Sequence, residues 1–275
     1  MNLRVVTPTL GKSPWLDETV ASVRALGLAG GHVLVTPAAE AAALAERFGG
    51  VTVVAERAAG SGLYAAINDG LVAPGPWDAF TYLNDDDLLR PGFAAVVAHV
   101  GPAAGPLLVY GRVELIDGTG RRLGAIPVST WPRHNRALYA QRLEPVYQHG
   151  AVITRAAWEQ CGGFDPSFRY CGDSEFLARL CVREVPAVYA GGAVGAFRLH
   201  RGQLTKHRSA MIEERARVDQ KLGLLPPRLT LGDRWARLAF RTANLPVYAE
   251  RIARHGFITF DELLERSPPD GPAQS

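Results

Sequence analysis

The sequence predicts an α/β fold with a mostly parallel central sheet flanked by helices, followed by a helical C-terminal extension. Short apolar runs alternate with helix-like segments through the first 85 residues, as in a parallel α/β sheet. Polar residues follow several of these runs, so they would line up along one edge of the sheet. Beyond Pro226 and Pro227 the pattern changes to arginines at helical spacing beside Leu and Trp. With 275 residues, 47% of them hydrophobic, the chain can bury a large core.

The elements follow one another in a regular order in the first half. The predicted strands there are 3–6, 32–35, 51–55 and 79–83, and the predicted helices are 17–26, 38–48, 63–71 and 91–99. The helix over 17–26 is expected to carry Thr19 and Ser22 on its polar face. A longer strand over 107–116 leads into an Asp-Gly-Thr-Gly turn, which predicts a hairpin.

The second half is less regular. Residues 127–148 are rich in Pro, Trp, Arg and Tyr without a clear period, so we predict a partly irregular binding segment. A strand over 151–154, helices over 156–161 and 174–183, and a last strand over 185–188 follow. Residues 267–275, SPPDGPAQS, have the composition of a disordered tail.

Charge is distributed unevenly along the chain. Residues 1–120 hold 7 Lys and Arg against 12 Asp and Glu, a net −5, and residues 121–275 hold 23 against 15, a net +8. This asymmetry suits a site with a metal on one side and an anion on the other, and equally a protein with a solvated basic tail. The three cysteines are expected to be free thiols. No signal-like or membrane-spanning apolar run occurs, so we expect a cytoplasmic protein.

The acidic cluster in FTYLNDDDLLRPG is the most specific feature. An apolar strand brings Asn84, Asp85, Asp86 and Asp87 to its carboxyl end. Neighbouring carboxylates about 4 Å apart repel one another by roughly 1–4 kcal/mol, and a divalent cation such as Mg²⁺ or Mn²⁺ relieves that repulsion. A solvated turn or helix cap needs only one Asp, so the cluster favours a metal site.

Two further segments carry candidate chemistry. In GGFDPSFRYCGDSEFLARL, Asp173 stands at a loop–helix junction, where it is suited either to accept a proton from a hydroxyl group or simply to cap the helix. In HRGQLTKHR, a glycine-containing loop carries a cluster of cations that suits a diphosphate, although a charge run is more often solvated surface. These residues are His200, Arg201, Lys206, His207 and Arg208.

Two glycine motifs are weaker. TPTLGKS ends like a phosphate-binding loop, but its first glycine is missing, so we reject it. GSGLYA, residues 60–65, matches the dinucleotide pattern G-x-G-x-x-A, with Asp85 at a suitable distance. That match leaves a nicotinamide-dependent oxidoreductase using Gly60–Gly62 as an alternative.

In sequence order, these segments resemble those of the inverting family-2 glycosyltransferases with the GT-A fold, over residues 3–208. VVTPTLGKSPWLDETVASV resembles the opening strand and helix of that family, and SGLYAAINDGL resembles its Gly-Ile-Tyr-x-Ala-x-Asn-x-Gly helix. LNDDD is similar to the D-x-D region, with Asn84 in place of the first Asp. GGFDPSFRYCGDSEFLARL resembles the segment that bears the catalytic base. The second predicted strand ends in VLVTPAAE instead of the family's Asp-rich turn.

The resemblance implies roles for particular residues. Asp173 would be the general base, and Asp86 the ligand of a Mn²⁺ or Mg²⁺ cofactor. The basic loop 200–208 would close over the diphosphate. Trp131, His149 and Gly172 would contact the acceptor. The implied donor-binding residues are Thr7, Pro8, Thr9, Glu56, Gly62, Tyr64, Asn68, Asn84 and Asp85.

The resemblance also implies an activity and a domain plan. A hexosyltransferase-type enzyme would move a sugar from a nucleoside-diphosphate donor, expected to be a UDP-sugar, to the hydroxyl group of a carbohydrate or lipid-linked carbohydrate. Residues 1–87 would bind the donor and 88–208 the acceptor, with 209–266 as a helical extension. A non-catalytic sugar-binding relative is the other alternative. We expect no nucleic-acid partner, whereas the sequence leaves open a homodimer and peripheral contact with the inner face of the membrane.

Overall fold

The computed structural model describes residues 1–101, 104–200, 208–225, 228–257 and 262–263, without the side chain of Arg208. Nine strands in these ranges form one sheet. They are β1 (Leu3–Pro8), β2 (His32–Thr36), β3 (Thr52–Ala55), β4 (Ala79–Tyr82), β5 (Leu88–Leu89), β6 (Leu108–Asp117), β7 (Arg122–Ile126), β8 (Val152–Thr154) and β9 (Ala187–Leu199).

Helices pack on both faces of this sheet and continue beyond it. They are α1 (Leu16–Ala25), α2 (Ala38–Arg47), α3 (Leu63–Val72), α4 (Phe93–Ala98), α5 (Asn135–Tyr139), α6 (Arg155–Cys161), α7 (Gly172–Val182), α8 (Arg208–Leu222), α9 (Leu231–Ala243) and α10 (Leu245–His255). The α/β prediction is therefore confirmed, and the elements of the first half lie within a few residues of their predicted bounds.

The sheet is mixed, with a parallel half that holds the predicted ligand edge. Its strand order is β3-β2-β1-β4-β8-β6-β9-β5, and β7 pairs with β6 as the predicted hairpin. Strands β3, β2, β1 and β4 are all parallel, whereas β8 joins both β4 and β6 in antiparallel pairs. The carboxyl ends of β1, β2 and β4 consequently lie side by side.

The last strand is much longer than the sequence pattern predicts. β9 runs parallel to β6 along its whole length, with a register shift beside Arg112. Gly191 and Gly192 have φ of +72° and +67°, so the chain leaves the extended conformation there and then resumes it. The run AGGAVGA has no alternating polarity and only one strong β-former, Val194, which explains why the prediction of 185–188 was too short.

A buried arginine fixes α3 against β1. The Arg4 guanidinium donates hydrogen bonds to the backbone oxygens of Gly70, Leu71, Ala73, Pro74 and Gly75, at 2.8–3.3 Å. These carbonyls end the helix and form the negative end of its dipole, so a cation is favourable there. Burial and the charge of Arg155 lower the pKa of Arg4 from its ordinary value. This arrangement fixes the position of α3 along β1.

The main hydrophobic core lies between the sheet and the helices α3 and α7. Ile67, Phe80, Phe164 and Phe176 belong to it. Val218 at the end of α8 joins the same core, so the chain after residue 208 packs directly on the preceding domain. The three cysteines are free, as predicted. No helix in the described ranges combines the length and the apolar character that a bilayer crossing requires.

We predict that Gly70→Ala destabilises the fold, although alanine is ordinarily the better helix former. A Cβ at Gly70 would lie 2.5 Å from Val6 Cγ1 and 2.9 Å from Val35 Cγ2. Relieving these overlaps should lower the free energy of unfolding in urea by about 1–3 kcal/mol. Gly30→Ala is the matched control, because a Cβ there meets nothing within 4 Å. Equal unfolding free energies for the two variants would refute this close packing.

Candidate active site

Asn84–Asp87, which come after Leu83 at the end of β4, form a turn that we call the acidic loop. It lies at the carboxyl edge of the parallel strands, against the segment that follows β1. Thr9 Oγ1 donates to Asp85 Oδ2 at 2.6 Å, and Ser13 Oγ donates to the Asp85 backbone oxygen at 2.8 Å. Burial and the adjacent charge of Asp86 raise the pKa of Asp85 to about 7, although the Thr9 hydrogen bond opposes the shift. Asp85 is thus tied to the β1 side of the edge.

Asp86 is paired with His200, the residue that follows β9. The Asp86 Oδ2 atom lies 2.8 Å from His200 Nε2, and the His200 ring packs on Trp15 with 4.4 Å between ring centroids. Burial and the charge of Asp87 raise the pKa of Asp86 despite the nearby His200 and His149. This pair therefore brings a carboxylate oxygen and an imidazole nitrogen together where the chain leaves β4 and β9.

Asp87 has a different environment and is fully buried. Its carboxylate accepts a hydrogen bond from the Arg198 backbone nitrogen at 3.0 Å and one from Asn84 Nδ2 at 3.2 Å. Its Oδ2 atom also lies 3.1 Å from His149 Nε2. Asp87 thus joins the acidic loop to β9, and its oxygens are already engaged within the protein.

The Arg198 side chain supports the acidic loop from beneath. It donates from Nε to the Asp86 backbone oxygen at 2.7 Å and from Nη2 to Glu18 Oε2 at 2.6 Å, and its guanidinium lies over the Trp15 ring. Arg198 is completely buried. Because it lies two residues before His200 on the same extended segment, the contacts of Arg198 help to position the His200 ring beside Asp86.

Asp173 lies in the first turn of α7, which begins at Gly172, two residues before the predicted start at 174. Its Oδ1 atom accepts a hydrogen bond at 3.1 Å from the hydroxyl of Tyr64, which also donates to the Tyr170 backbone oxygen at 3.2 Å. Burial raises the pKa of Asp173, although the Ser174 backbone amide, the Tyr64 hydroxyl and His149 favour the ionised form. A partly exposed carboxylate with a raised pKa is suited to accept a proton.

His149 connects the two halves of the site. Its charge, when protonated, lowers the pKa of both Asp86 and Asp173. The pKa of Tyr82, at the end of β4, is raised mainly by burial and to a smaller extent by the charges of Asp173 and Asp87. Asp86 and Asp173 are 87 residues apart in sequence, yet the charge of the same residue, His149, acts on both carboxyl groups.

The loop before Asp173 is fixed by a residue of α8. The Glu214 carboxylate accepts hydrogen bonds from the backbone nitrogens of Arg169, Tyr170 and Cys171, at 2.8, 2.8 and 2.9 Å. Three amides in succession around one carboxylate form a rigid turn. The N-terminus of α7, and with it Asp173, is therefore attached to α8.

The remaining donor-binding candidates differ in how accessible their polar groups are. Thr7 is fully buried, and its hydroxyl lies 3.0 Å from His32 Nε2. Glu56 accepts a hydrogen bond from the Gly60 nitrogen, and Gly62 precedes α3 with φ of +91°. Asn68 bonds twice to the backbone of Phe164, at 2.8 and 3.0 Å, so it joins α3 to the segment after α6.

The three acceptor-binding candidates differ in their exposure and in their neighbours. Trp131 is 46% exposed and packs against Arg133, whereas His149 is buried beside Asp87 and Phe197. Gly172 lies against Tyr64, and a Cβ at that position would come within 2.6 Å of the Tyr64 ring. A glycine at 172 is thus what allows the Tyr64 hydroxyl to approach Asp173.

Most of the predicted diphosphate loop lies outside the described residues. Arg201, Lys206, His207 and the Arg208 side chain lie outside the described residues, whereas His200 is seen beside Asp86. In the described part of the chain, no three His, Cys, Asp or Glu side chains are arranged to bind one metal ion.

Sequence reasoning missed Trp15, Arg198 and Glu214. The alternation in GAFRLH would have indicated that Arg198 and His200 share one face of a strand, had the strand been extended past 188. Trp15 and Glu214 have no comparable sequence signal, because their contacts join residues distant in the chain.

We predict that Asp85→Asn stabilises the protein at alkaline pH in the absence of divalent cations. The unfolded Asp85 ionises near pH 4 and the folded one near 7, so stability falls as pH rises between these values. The variant should exceed the wild type by about 1–3 kcal/mol in urea unfolding with EDTA at pH 8, and by nearly nothing at pH 4. Asp17→Asn, at an exposed carboxylate, is the control. A gain that did not depend on pH would contradict this assignment.

We also predict that Glu214→Gln loosens the turn before Asp173. The amide group presents its own N–H toward backbone N–H groups, so at least one of the three loses its acceptor, at a cost of about 1–3 kcal/mol. Hydrogen exchange should accelerate at residues 169–171. Glu213→Gln, at the exposed neighbour on the same helix, is the matched control. Unchanged protection of the three amides in Glu214→Gln would show that Glu214 does not hold this turn.

No protein-family model matches the chain, and the search of curated proteins found no significant match. Solved structures do resemble it. Staphylococcus aureus TarS 1–349 in complex with UDP-GlcNAc has a TM-score of 0.58 at 14% sequence identity, over 96% of this chain and 78% of that one. GalNAc-T7 with UDP, GalNAc and Mn²⁺ has a TM-score of 0.55 at 12% identity, over 93% of this chain and 58% of that one. This likeness shows the fold: the chain has the GT-A fold of glycosyltransferase structures.

Proposed function

We propose that the protein is a glycosyltransferase that moves a sugar from a nucleoside-diphosphate donor to an acceptor hydroxyl with inversion at the anomeric carbon. One observation carries the proposal: Asp86 is paired with His200, Asp173 is hydrogen-bonded to Tyr64, and both carboxyl groups lie within electrostatic range of His149, which contacts Asp87 at 3.1 Å. An inverting displacement needs one group at the leaving diphosphate and a base at the incoming hydroxyl. The fold adds support to this interpretation.

The donor side of the site would be the edge formed by β1, β2 and β4. Pro8 ends β1 and Thr9 follows it, and Asn84 and Asp85 come after β4. Glu56 follows β3, and Gly62 precedes α3. A UDP-sugar is the donor class we favour, because TarS was solved with UDP-GlcNAc and GalNAc-T7 with UDP. The acceptor would be a carbohydrate or lipid-linked carbohydrate bound near residues 127–149.

A divalent cation, Mn²⁺ or Mg²⁺, fits the chemistry of the donor side. Asp86 and His200, whose Oδ2 and Nε2 atoms lie 2.8 Å apart, would hold the cation through one oxygen and one nitrogen. A cation there would also relieve the repulsion that raises the pKa of Asp86. When bound, it would supply Lewis-acid stabilisation of the departing diphosphate.

Asp173 would act as the general base. As the acceptor oxygen bonds to the anomeric carbon, its proton passes to the Asp173 carboxylate, and the bond from that carbon to the diphosphate breaks. The raised pKa of Asp173 makes its carboxylate a stronger proton acceptor, and the Tyr64 hydrogen bond orients it. Such positioned proton transfer is worth about 10²–10⁴-fold in rate. Residues 1–208 would form the catalytic domain and 209–266 an extension packed on it.

The nicotinamide alternative has little support. Gly60 and Gly62 follow β3, the edge strand, and not the first strand of the sheet. Asp85, the residue that would bind a ribose, is instead hydrogen-bonded to Thr9. The second alternative, a non-catalytic sugar-binding protein, can be distinguished from an enzyme by experiment, because it would bind a nucleotide sugar without releasing nucleoside diphosphate.

We predict that Asp173→Asn and Asp86→Ala impair different steps. Asp173→Asn should lower kcat by about 10²–10⁴-fold, because an amide accepts no proton, while the protein still binds donor. Asp86→Ala should lose the Mn²⁺-dependent part of donor binding. The measurements are nucleoside-diphosphate release with a panel of nucleotide sugars and thermal shift with each sugar and Mn²⁺.

Asp17→Asn is the control for both variants, because Asp17 is exposed and lies on the outer side of α1. Turnover close to that of the wild type in Asp173→Asn would exclude Asp173 as the base. Donor binding without nucleoside-diphosphate release in the wild type would favour the non-catalytic alternative.

A further inference from the structure

The helix α9 has apolar residues on its solvent side as well as on its packed side. Leu231, Trp235 and Leu238 are 83%, 54% and 53% exposed. At 100° per residue they fall within an arc of about 60° on the helix surface. Phe240 and Ala236 lie about 140–180° away from Leu231 and are buried against Leu138 of α5. The exposed stripe is therefore separate from the face that holds the helix in the fold.

The following helix exposes apolar residues as well. Leu245 at the start of α10 is 60% exposed, and Ile252, seven residues later and thus on the same side, is 40% exposed. Phe257, just after α10, is 92% exposed. We call these six side chains the apolar stripe: Leu231, Trp235, Leu238, Leu245, Ile252 and Phe257.

Positive charge accompanies the apolar stripe. Residues 231–255 contain five arginines against Asp233 and Glu250, a net charge of +3, which equals that of the whole chain. Arg234 and Arg241 are exposed and lie about 60–80° from Leu231 around α9. Neither makes an ion pair with any residue in the described ranges. They are therefore available to bind anions beside the apolar side chains.

We infer that the apolar stripe and its arginines form a docking surface for an anionic lipid bilayer. Helices that lie in the plane of a bilayer combine Trp, Leu and Phe on one side with Lys and Arg at its borders, so that the rings enter the interface and the cations meet the headgroups. A second copy of the chain fits less well, because pairing two such faces would bring together two surfaces of net charge +3.

The docking surface adjoins the irregular segment 127–148. Asn244, between α9 and α10, exchanges two hydrogen bonds with the Val128 backbone, at 3.1 and 2.9 Å. Gln141 Nε2 donates to the Asp233 backbone oxygen at 2.7 Å. A docked protein would hold this segment near the bilayer, which suits an acceptor carried on a lipid. That consequence rests on the proposed function, whereas the docking itself does not.

The test is co-sedimentation of the full chain with vesicles of phosphatidylcholine alone or with 40% phosphatidylglycerol. The wild type should sediment with the anionic vesicles and stay in solution with the neutral ones. Two variants should each bind anionic vesicles at least about tenfold more weakly than the wild type. They are the triple variant Leu231→Gln/Trp235→Gln/Leu238→Gln and the double variant Arg234→Gln/Arg241→Gln. Glutamine keeps helix propensity, and the substituted side chains are exposed, so both variants should retain the wild-type melting temperature.

Matched controls remove similar groups elsewhere. Val72→Gln/Ile212→Gln replaces exposed apolar residues of α3 and α8, and Arg24→Gln/Arg183→Gln removes two exposed arginines. Both controls should bind like the wild type. The inference would be overturned if the wild type did not sediment with anionic vesicles, or if the triple variant sedimented with them as the wild type does. A dimer in solution that the triple variant dissociates, without vesicle binding by the wild type, would overturn it in favour of self-association. Nucleoside-diphosphate release in solution, measured separately, distinguishes failure of docking from failure of the proposed activity.

Discussion

Repulsion among three adjacent carboxylates at the end of β4 is the constraint around which this site is built. Asp85, Asp86 and Asp87 lie where little water screens their charges, and each is stabilised by a different part of the chain. The segment after β1 donates to Asp85, His200 pairs with Asp86, and the β9 backbone donates to Asp87. These contacts hold together strands that are distant in sequence. Asp86 is paired with a histidine and keeps a partly exposed side chain, whereas the histidine-paired Asp87 is fully buried.

The environment of Asp173 follows a different principle, since Asp173 stands alone and not in a cluster. Its position results from a hydroxyl, a helix terminus and a loop. Tyr64 donates to it, Gly172 leaves room for the Tyr64 ring, and Glu214 fixes the three amides just before the helix. A lone acid in a desolvated position holds its proton more tightly, whereas the cluster at Asp86 favours a cation. The two acidic groups thereby acquire different chemical properties from their surroundings.

Most of the parallel half of the sheet could be predicted from the sequence, because its strands are short continuous apolar runs bounded by polar residues. The acidic cluster and Asp173 could also be singled out, since each stands in a short local sequence pattern, LNDDD and RYCGDSEF. The division of labour among Asp85, Asp86 and Asp87 could not, because it depends on contacts with Thr9, His200 and the Arg198 backbone. Periodicity was misleading at Thr19, which belongs to the polar face of α1 in the pattern. In the structure Thr19 is buried and donates to the Asp87 backbone oxygen at 2.9 Å.

The buried arginine at the far end of α3 has a consequence for the site. Arg4 donates hydrogen bonds to the backbone carbonyls at the carboxyl end of this helix. Tyr64 lies in the first turn, about 12 Å from that end along the helix axis. A helix of this length behaves as a rigid rod, so its anchored end sets where its other end lies. Sliding α3 by a single residue, about 1.5 Å, would stretch the 3.1 Å contact between Tyr64 and Asp173 beyond hydrogen-bonding range. The position of the tyrosine hydroxyl is thus set from the other end of the helix, by a buried arginine that bonds only to backbone carbonyls there.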